Sequence, residues 1–223
     1  MEIARAAAAL FVGQGLRATR AEDIAQAAGV APRTFYRYFA TKEEAVAPLY
    51  AAGAQRWVEA VRTAPAALSV PEALEHAVRH TLTPGAGVSA ASWEWVRTLI
   101  GLARTSPALS KVWAEVCQAS EQTLAEVLTA RTAPAGTADN SAAGTADNVA
   151  GERADKSAAG IAPTPELRFT AAVVSAAVRV AVESWAATPA PPSGPEGPAA
   201  LALRNLGALR DFPWGRGAGE TDG

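Results

Sequence analysis

Residues 20–40 read RAEDIAQAAGVAPRTFYRYFA. The spacing of the apolar residues predicts two short helices, at 21–28 and 32–39. Gly29 lies between them, and glycine readily adopts the positive φ that lets a chain leave one helix and turn sharply into the next. The pattern is therefore typical of a helix-turn-helix.

Both predicted helices carry a start signal. Thr19 and Glu22 have the spacing of a capping box, and Pro32 suits the first turn of the second helix. Phe35 and Phe39, four residues apart, would form the buried face of that helix. The opposite face would offer polar and aromatic side chains to a DNA major groove and its flanking phosphates, namely Arg33, Thr34, Tyr36, Arg37 and Tyr38.

Many positions around this motif agree in order and spacing with one known family. They are Leu10-Phe11, Gly15, Thr19, Asp23-Ile24-Ala25, Ala28-Gly29-Val30, Thr34 to Phe39 and Lys42-Glu43-Glu44. Over roughly residues 2–50 the chain resembles the N-terminal domain of TetR-family transcriptional regulators. The resemblance implies a ligand-responsive repressor that binds a pseudo-palindromic double-stranded operator as a homodimer and is released by a small-molecule effector.

The resemblance also implies roles for eight side chains. Contacts with DNA phosphates are implied for Thr19, Arg20, Thr34, Tyr38 and Lys42. Contacts with base edges or the adjacent backbone are implied for Arg33, Tyr36 and Arg37. The residues alone leave other interpretations open, since Tyr38 could belong to the core and the two arginines of the second helix could simply be solvated.

Composition limits the function classes. The formal net charge is −2, yet residues 1–63 hold eight Lys/Arg against six Asp/Glu, whereas the remainder holds twelve against sixteen. The positive excess therefore lies with the motif. Cys117 is the lone cysteine, which excludes an intramolecular disulfide framework. The sequence has no signal peptide and no apolar run of about 18 residues, so we expect a cytoplasmic protein without membrane contact or cofactor.

Helical periodicity continues through the chain, and no segment shows the alternation of a strand. We expect an all-α fold with a three-helix DNA-binding head at 1–48, a larger effector-binding and dimerisation body at 49–212 and a frayed tail at 213–223. Residues 132–165 repeat the hexapeptide AGTADN and predict a disordered insertion. The expected body helices are Lys42 to about Thr63, with a possible kink at Pro48, Pro71–Leu82, Ser89–Arg104, Pro107–Arg131, Pro165–Ala187 and Gly197–Leu209.

The helix from Pro165 carries an apolar stripe with small residues, which favours close helix contact. The stripe consists of Phe169, Ala172, Val173, Ala176, Ala177, Val180 and Ser184. With Leu201, Leu203, Leu206 and Leu209 of the last helix, it is the expected dimer surface. The alternative is that the stripe belongs to the core of a single chain.

The resemblance places an effector pocket in the body. Candidate lining residues, mostly aromatic or polar, are Trp93, Arg97, Ile100, Arg104, Trp113, Cys117, Ser120 and Trp185. They would offer a ring, an apolar wall and cations to an amphipathic or anionic ligand. Each tryptophan could instead fill the core, and each arginine could pair with a helix carboxylate.

Two other functions are compatible with parts of the sequence. His76 and His80 have the spacing of two metal ligands on one helix, with Glu72 one turn earlier. The sequence shows no catalytic motif beside them, so we expect neither a metal site nor an enzyme. An interaction protein that keeps the fold without reading an operator is the remaining alternative.

Overall fold

The computed structural model describes residues 1–85, 90–133 and 162–212. The predicted tail at 213–223 and most of the predicted insertion, 134–161, lie outside these ranges. The structure is all-helical there, as predicted, and the bounds agree closely with those read from the sequence. The helices are α1 Glu2–Gly13, α2 Ala21–Ala27, α3 Pro32–Tyr38, α4 Ala47–Arg62, α5 Val70–Leu82, α6 Ala90–Thr105, α7 Pro107–Thr132, α8 Pro165–Ala186 and α9 Pro198–Gly207.

The predicted capping box at the start of α2 is wrong by one residue. Arg20 is the N-cap, and its backbone N–H donates to Asp23 Oδ2 at 2.9 Å. The Thr19 hydroxyl points the other way and donates to the Gly15 carbonyl at 2.9 Å. A carboxylate three residues after the N-cap still satisfies an orphan N–H, so Asp23 performs the role that the sequence assigned to Glu22.

The long helix predicted from Lys42 begins later. A 3-10 turn at Glu44–Val46 precedes α4, which starts at Ala47. The Glu44 carboxylate accepts the Ala40 N–H at 2.9 Å and the Thr41 hydroxyl at 3.2 Å, so it holds the connection from α3 in a tight turn. Pro48 consequently lies in the first turn of α4, where proline needs no kink.

The head is a three-helix unit of α1, α2 and α3 around a small core. Phe11, Ile24 and Phe35 are almost completely buried and come from the three different helices. Gly29 has φ +67° in the turn between α2 and α3, as the motif predicts. This turn fixes the direction of α3, and the burial of Phe35 fixes which of its faces is exposed.

The body packs α4, α5, α7, α8 and α9 around a second core. Its largest buried members are Trp57, Leu74, Leu124, Leu128, Leu167 and Leu206. Arg131, near the end of α7, donates to the carbonyls of Val61 and Ala64 at 3.4 and 2.8 Å and to those of Pro65 and Leu68 at 3.1 and 3.2 Å. This one guanidinium therefore holds the end of α4 and the following loop against α7.

Head and body share a continuous apolar junction. Leu99 and Ala103 of α6, with Leu109 and Val112 of α7, belong to the same buried cluster as the core of the head. The Tyr50 hydroxyl donates to the Leu99 carbonyl at 2.8 Å, and burial raises the pKa of this phenol well above its usual value. The predicted boundary at residue 48 lies at the start of α4, which crosses this junction.

The outer face of α8 leaves apolar side chains uncovered. Phe169 is 60% exposed and Val180 is 46% exposed, and the smaller Ala172, Val173 and Ala176 between them are half-buried. By length and composition alone, α8 could cross a membrane, with a mean hydropathy of 1.3 over its most apolar window. Its opposite face packs against the body core, and Phe212 contacts Phe169 with ring centres 5.6 Å apart, so α8 carries a partly exposed apolar stripe.

Candidate DNA-binding surface and effector cleft

Helix α3 presents a row of exposed side chains above a buried anchor. Tyr36 is 51% and Tyr38 is 62% exposed, whereas Phe35 is completely buried. Arg33 and Arg37 are exposed on the same short helix, and Thr34 is half-buried. A short helix with exposed arginines and aromatic hydroxyls offers hydrogen-bond donors to the acceptor atoms of major-groove base edges and of phosphates.

Contacts within the protein hold the side chains of this surface in place. The Tyr36 hydroxyl donates to Glu22 Oε1 of α2 at 3.2 Å, and the Arg20 guanidinium lies 3.5 Å from the same carboxylate. Local desolvation, followed by the negative charge of Glu22, raises the pKa of Tyr36. Glu22 therefore links α2 to α3, a role that the sequence analysis missed because it assigned this residue to capping.

Arg37 and Tyr38 form a second exposed pair. The Arg37 guanidinium donates to the Tyr38 hydroxyl at 3.2 Å and lies 4.9 Å from the centre of its ring. Tyr38 is therefore a surface residue, and the core alternative for it does not hold.

Two of the side chains with implied phosphate contacts are engaged by the protein's own backbone. Thr19 is only 1% exposed, because its hydroxyl is held between Gly15 and Gln14. The Lys42 ammonium donates to the carbonyls of Leu16 and Thr19, each at 2.7 Å. These two side chains brace the α1–α2 turn, which corrects the expectation that they grip DNA directly.

The body contains a cleft of about 490 Å³ between α6, α7 and α8. Four predicted effector residues line it, Ile100, Arg104, Trp113 and Cys117. Burial is the main reason that the pKa of the Cys117 thiol rises to about 11, so this thiol is uncharged at neutral pH.

Arg179 and Glu183 of α8 also line this cleft, although the sequence analysis did not single them out. The Trp113 indole N–H donates to Glu183 Oε1 at 2.7 Å, and Arg179 reaches both oxygens of the same carboxylate at 3.3 Å. Arg104 donates to the Glu183 backbone carbonyl at 2.9 Å. The polar end of the cleft is thus built by residues about 70–80 positions apart in the chain.

The other predicted effector residues lie elsewhere. Trp93 and Trp185 are buried against each other, with ring centres 5.4 Å apart. The Arg97 guanidinium stacks 4.3 Å from the Trp185 ring and donates to the carbonyls of Thr188 and Ala190, which fixes the loop after α8. For these three the core and structural alternatives are the better account. Ser120 lines a different, more open cleft of about 880 Å³ between α4, α5 and α7.

Trp113 connects the smaller cleft with the head. Its ring meets the Tyr50 ring edge-on, with centres 5.1 Å apart, and Tyr50 is bonded to the Leu99 carbonyl. Tyr50 also belongs to the buried cluster that contains Phe11 and Phe35 of the head. A movement of Trp113 would therefore disturb the surface on which the head sits.

The two histidines do not assemble a metal site in the described part of the chain. His76 and His80 are exposed, with rings stacked 6.3 Å apart. Glu72, the third candidate, accepts the backbone N–H and the hydroxyl of Ser69 at 2.8 and 2.7 Å, and these bonds lower its pKa. Across residues 1–85, 90–133 and 162–212, no group of three potential metal ligands was found.

Sequence comparison matches residues 3–47 to the family described as "Bacterial regulatory proteins, tetR family". The chain is 37% identical over 81 residues to the HTH-type transcriptional regulator TcmR of Streptomyces glaucescens, a match that covers 36% of each chain. It is 49% identical over 45 residues to the HTH-type transcriptional repressor KstR2 of Mycobacterium tuberculosis, which covers 20% of this chain and 22% of that protein. The matches thus span about a third or less of these curated relatives.

Solved structures share the fold over nearly the whole chain. FadR of Thermus thermophilus, a TetR-family transcriptional repressor solved in complex with lauroyl-CoA, has a TM-score of 0.58 at 21% identity and covers 100% of this chain and 98% of its own. A transcriptional regulator from Rhodococcus sp. Rha1 has a TM-score of 0.51 at 19% identity, covering 94% and 95%. At these identities the likeness establishes the fold of head and body.

Proposed function

We propose that this chain, which belongs through its N-terminal domain to the tetR family of bacterial regulatory proteins, is a dimeric repressor that an effector releases from its operator. The observation that carries the proposal is the exposed face of α3, where Arg33, Tyr36 and Arg37 stand above the buried Phe35. A helix anchored in this way can enter a major groove without unfolding the head.

The contacts with DNA divide into two kinds. We assign base-edge reading to Arg33, Tyr36 and Arg37, of which an arginine is suited to bidentate contact with guanine. Arg20 and Tyr38 lie beside them and would contact phosphates, together with Thr34. Thr19 and Lys42 act indirectly, because they hold the turn from which α2 starts.

The stripe on α8 is the proposed dimer surface. It is an apolar face with exposed Phe169 and Val180, along which a partner helix can pack. Ala172 and Ala176, at the edge of this face, also line the cleft between α6, α7 and α8. A two-fold dimer through this face carries two copies of α3, which would read two half-sites about 34 Å apart, one helical turn of DNA.

Repression and its relief follow from two states of the dimer. KstR2 is named a repressor and FadR was solved with lauroyl-CoA, and both facts support an effector-controlled repressor here. The effector would favour the head arrangement that fits DNA poorly, by a few kcal/mol. Such a protein acts in the cytoplasm, without catalytic activity and without a cofactor.

Selection from a random duplex library tests the assignment. The wild type should enrich a pseudo-palindromic site, and Arg33→Ala and Tyr36→Ala should each lose about 1–3 kcal/mol of discrimination at one base pair per half-site. Arg79→Ala, an exposed arginine of α5, is the matched control and should select the same site. If the folded wild type enriched no site, the chain would be an interaction protein that keeps the fold without reading DNA.

A further inference from the structure

We infer that the cleft between α6, α7 and α8 binds an elongated amphipathic organic anion, with the acid group of the ligand at Arg104. The inference rests on the proposed function, since it names the class of effector that the repressor would sense. The volume of about 490 Å³ lies within the range of small-molecule sites, about 300–1,000 Å³.

The charges of the cleft select an anion and orient it. Arg179 and Glu183 neutralise each other. Arg104 contacts only the backbone carbonyl of Glu183, and among the described residues no carboxylate lies within 4 Å of its guanidinium. Arg104 can therefore give its remaining donors to a ligand acid group. Glu121 also lines the cleft and would repel an acid group placed near it.

The lining between these charges is extended, and it combines small apolar side chains with the neutral polar Gln118 and Ser175. Helix α7 borders the cleft from Ser110 to Glu121, which is about 16 Å along a helix at 1.5 Å per residue. Small side chains lie between the two ends, among them Ala114 on α7 and Ala172 and Ala176 on α8. The Cys117 thiol adds an uncharged surface, because its pKa lies far above neutrality.

Occupation of this cleft would reach the head through Trp113. The indole lines the cleft and is held by Glu183 on one side and by the Tyr50 ring on the other. A ligand that competes for Glu183 or presses on the indole would shift Tyr50, which is packed into the junction under the head. The larger cleft between α4, α5 and α7 lacks Trp113 in its lining.

Two exposed alanines of α7 allow a matched test. Ala114 lines the proposed cleft and Ala119 lines the larger one, so a tryptophan at either position fills one cleft and leaves the other open. The probe is anilinonaphthalene sulfonate, an aromatic anion that fluoresces when bound. The dye itself is excited, not the tryptophans. Nile red serves as the uncharged probe. Binding of both dyes and of the selected operator is measured for the wild type, Ala114→Trp, Ala119→Trp, Arg104→Ala and Arg79→Ala.

The expected result is that Ala114→Trp abolishes binding of the anionic dye, whereas Ala119→Trp and Arg79→Ala leave it unchanged. Arg104→Ala should weaken the anionic dye about tenfold and leave Nile red unchanged. The dye should also weaken operator binding by the wild type but not by Ala114→Trp. The inference would be overturned if only Ala119→Trp lost dye binding, or if neither Ala114→Trp nor Ala119→Trp changed it. Failure of the untreated wild type to bind any operator would instead contradict the proposed function.

Discussion

A substitution of Lys42 tests whether this side chain stabilises the head or contacts DNA directly. Its ammonium donates two hydrogen bonds of 2.7 Å, to the Leu16 and Thr19 carbonyls, from a half-buried position. A hydrogen bond that involves a charged group contributes about 1.5–3 kcal/mol. The two carbonyls lie in a turn and can be partly rehydrated, so Lys42→Met should lower the free energy of unfolding by about 2–4 kcal/mol. Methionine keeps the apolar stem and removes the donors together with the positive charge, and the Lys111→Met control described below loses the same charge.

The assay combines denaturant unfolding with operator binding at several salt concentrations. A lost phosphate contact makes the salt slope of DNA binding shallower by about 0.9, whereas a lost internal bond leaves the slope unchanged. Lys111→Met is the matched control, because Lys111 is exposed and only loosely paired with Glu115 at 3.8 Å. A Lys42→Met protein as stable as the wild type, with a salt slope shallower by about one unit, would refute the structural role and restore the phosphate contact.

Four further predictions follow from particular contacts. Arg131→Met removes donors to four carbonyls and should cost about 2–3 kcal/mol in urea unfolding, and a change within 0.5 kcal/mol would contradict the clamp. Tyr50→Phe removes a second hydrogen bond from the Leu99 carbonyl, which lies within α6, so the same measurement should show a loss of about 0.5–1.5 kcal/mol. Val180→Glu should raise the dimer dissociation constant at least about 100-fold in sedimentation without altering helix content, and an intact dimer would remove α8 from the interface. The pKa of Cys117 is raised, so between about pH 9 and about pH 11 the folded thiol keeps its proton while the unfolded thiol ionises. The free energy of unfolding should therefore fall as pH rises through this range. Alkylation of Cys117 at pH 8 as fast as in the unfolded chain would contradict its burial.

The elements that the sequence predicted well depend on local signals. Proline occupies an early position in α3, α7 and α8, and their observed starts agree with those predicted. The turn at Gly29 and the buried Phe35 follow from spacing within a few residues. Neither requires knowledge of a distant partner.

The errors concern partners that are distant in sequence. Lys42 bonds to carbonyls 23 and 26 residues away, and no local pattern shows that these lie within its reach. Arg97 is engaged by a loop more than 90 residues later, so its place on α6 suggested a ligand when its partner was backbone. Arg179 and Glu183 were missed for the same reason, since only the packing of α8 on α7 brings them to Trp113.

Two copies of this chain should read one operator together. Sedimentation of the protein with the selected duplex, and with a duplex that keeps only one half-site, measures this directly. The expected result is two chains on the full site and an affinity for the half-site duplex that is lower by at least about 100-fold. One chain per duplex, with equal affinity for both duplexes, would contradict it.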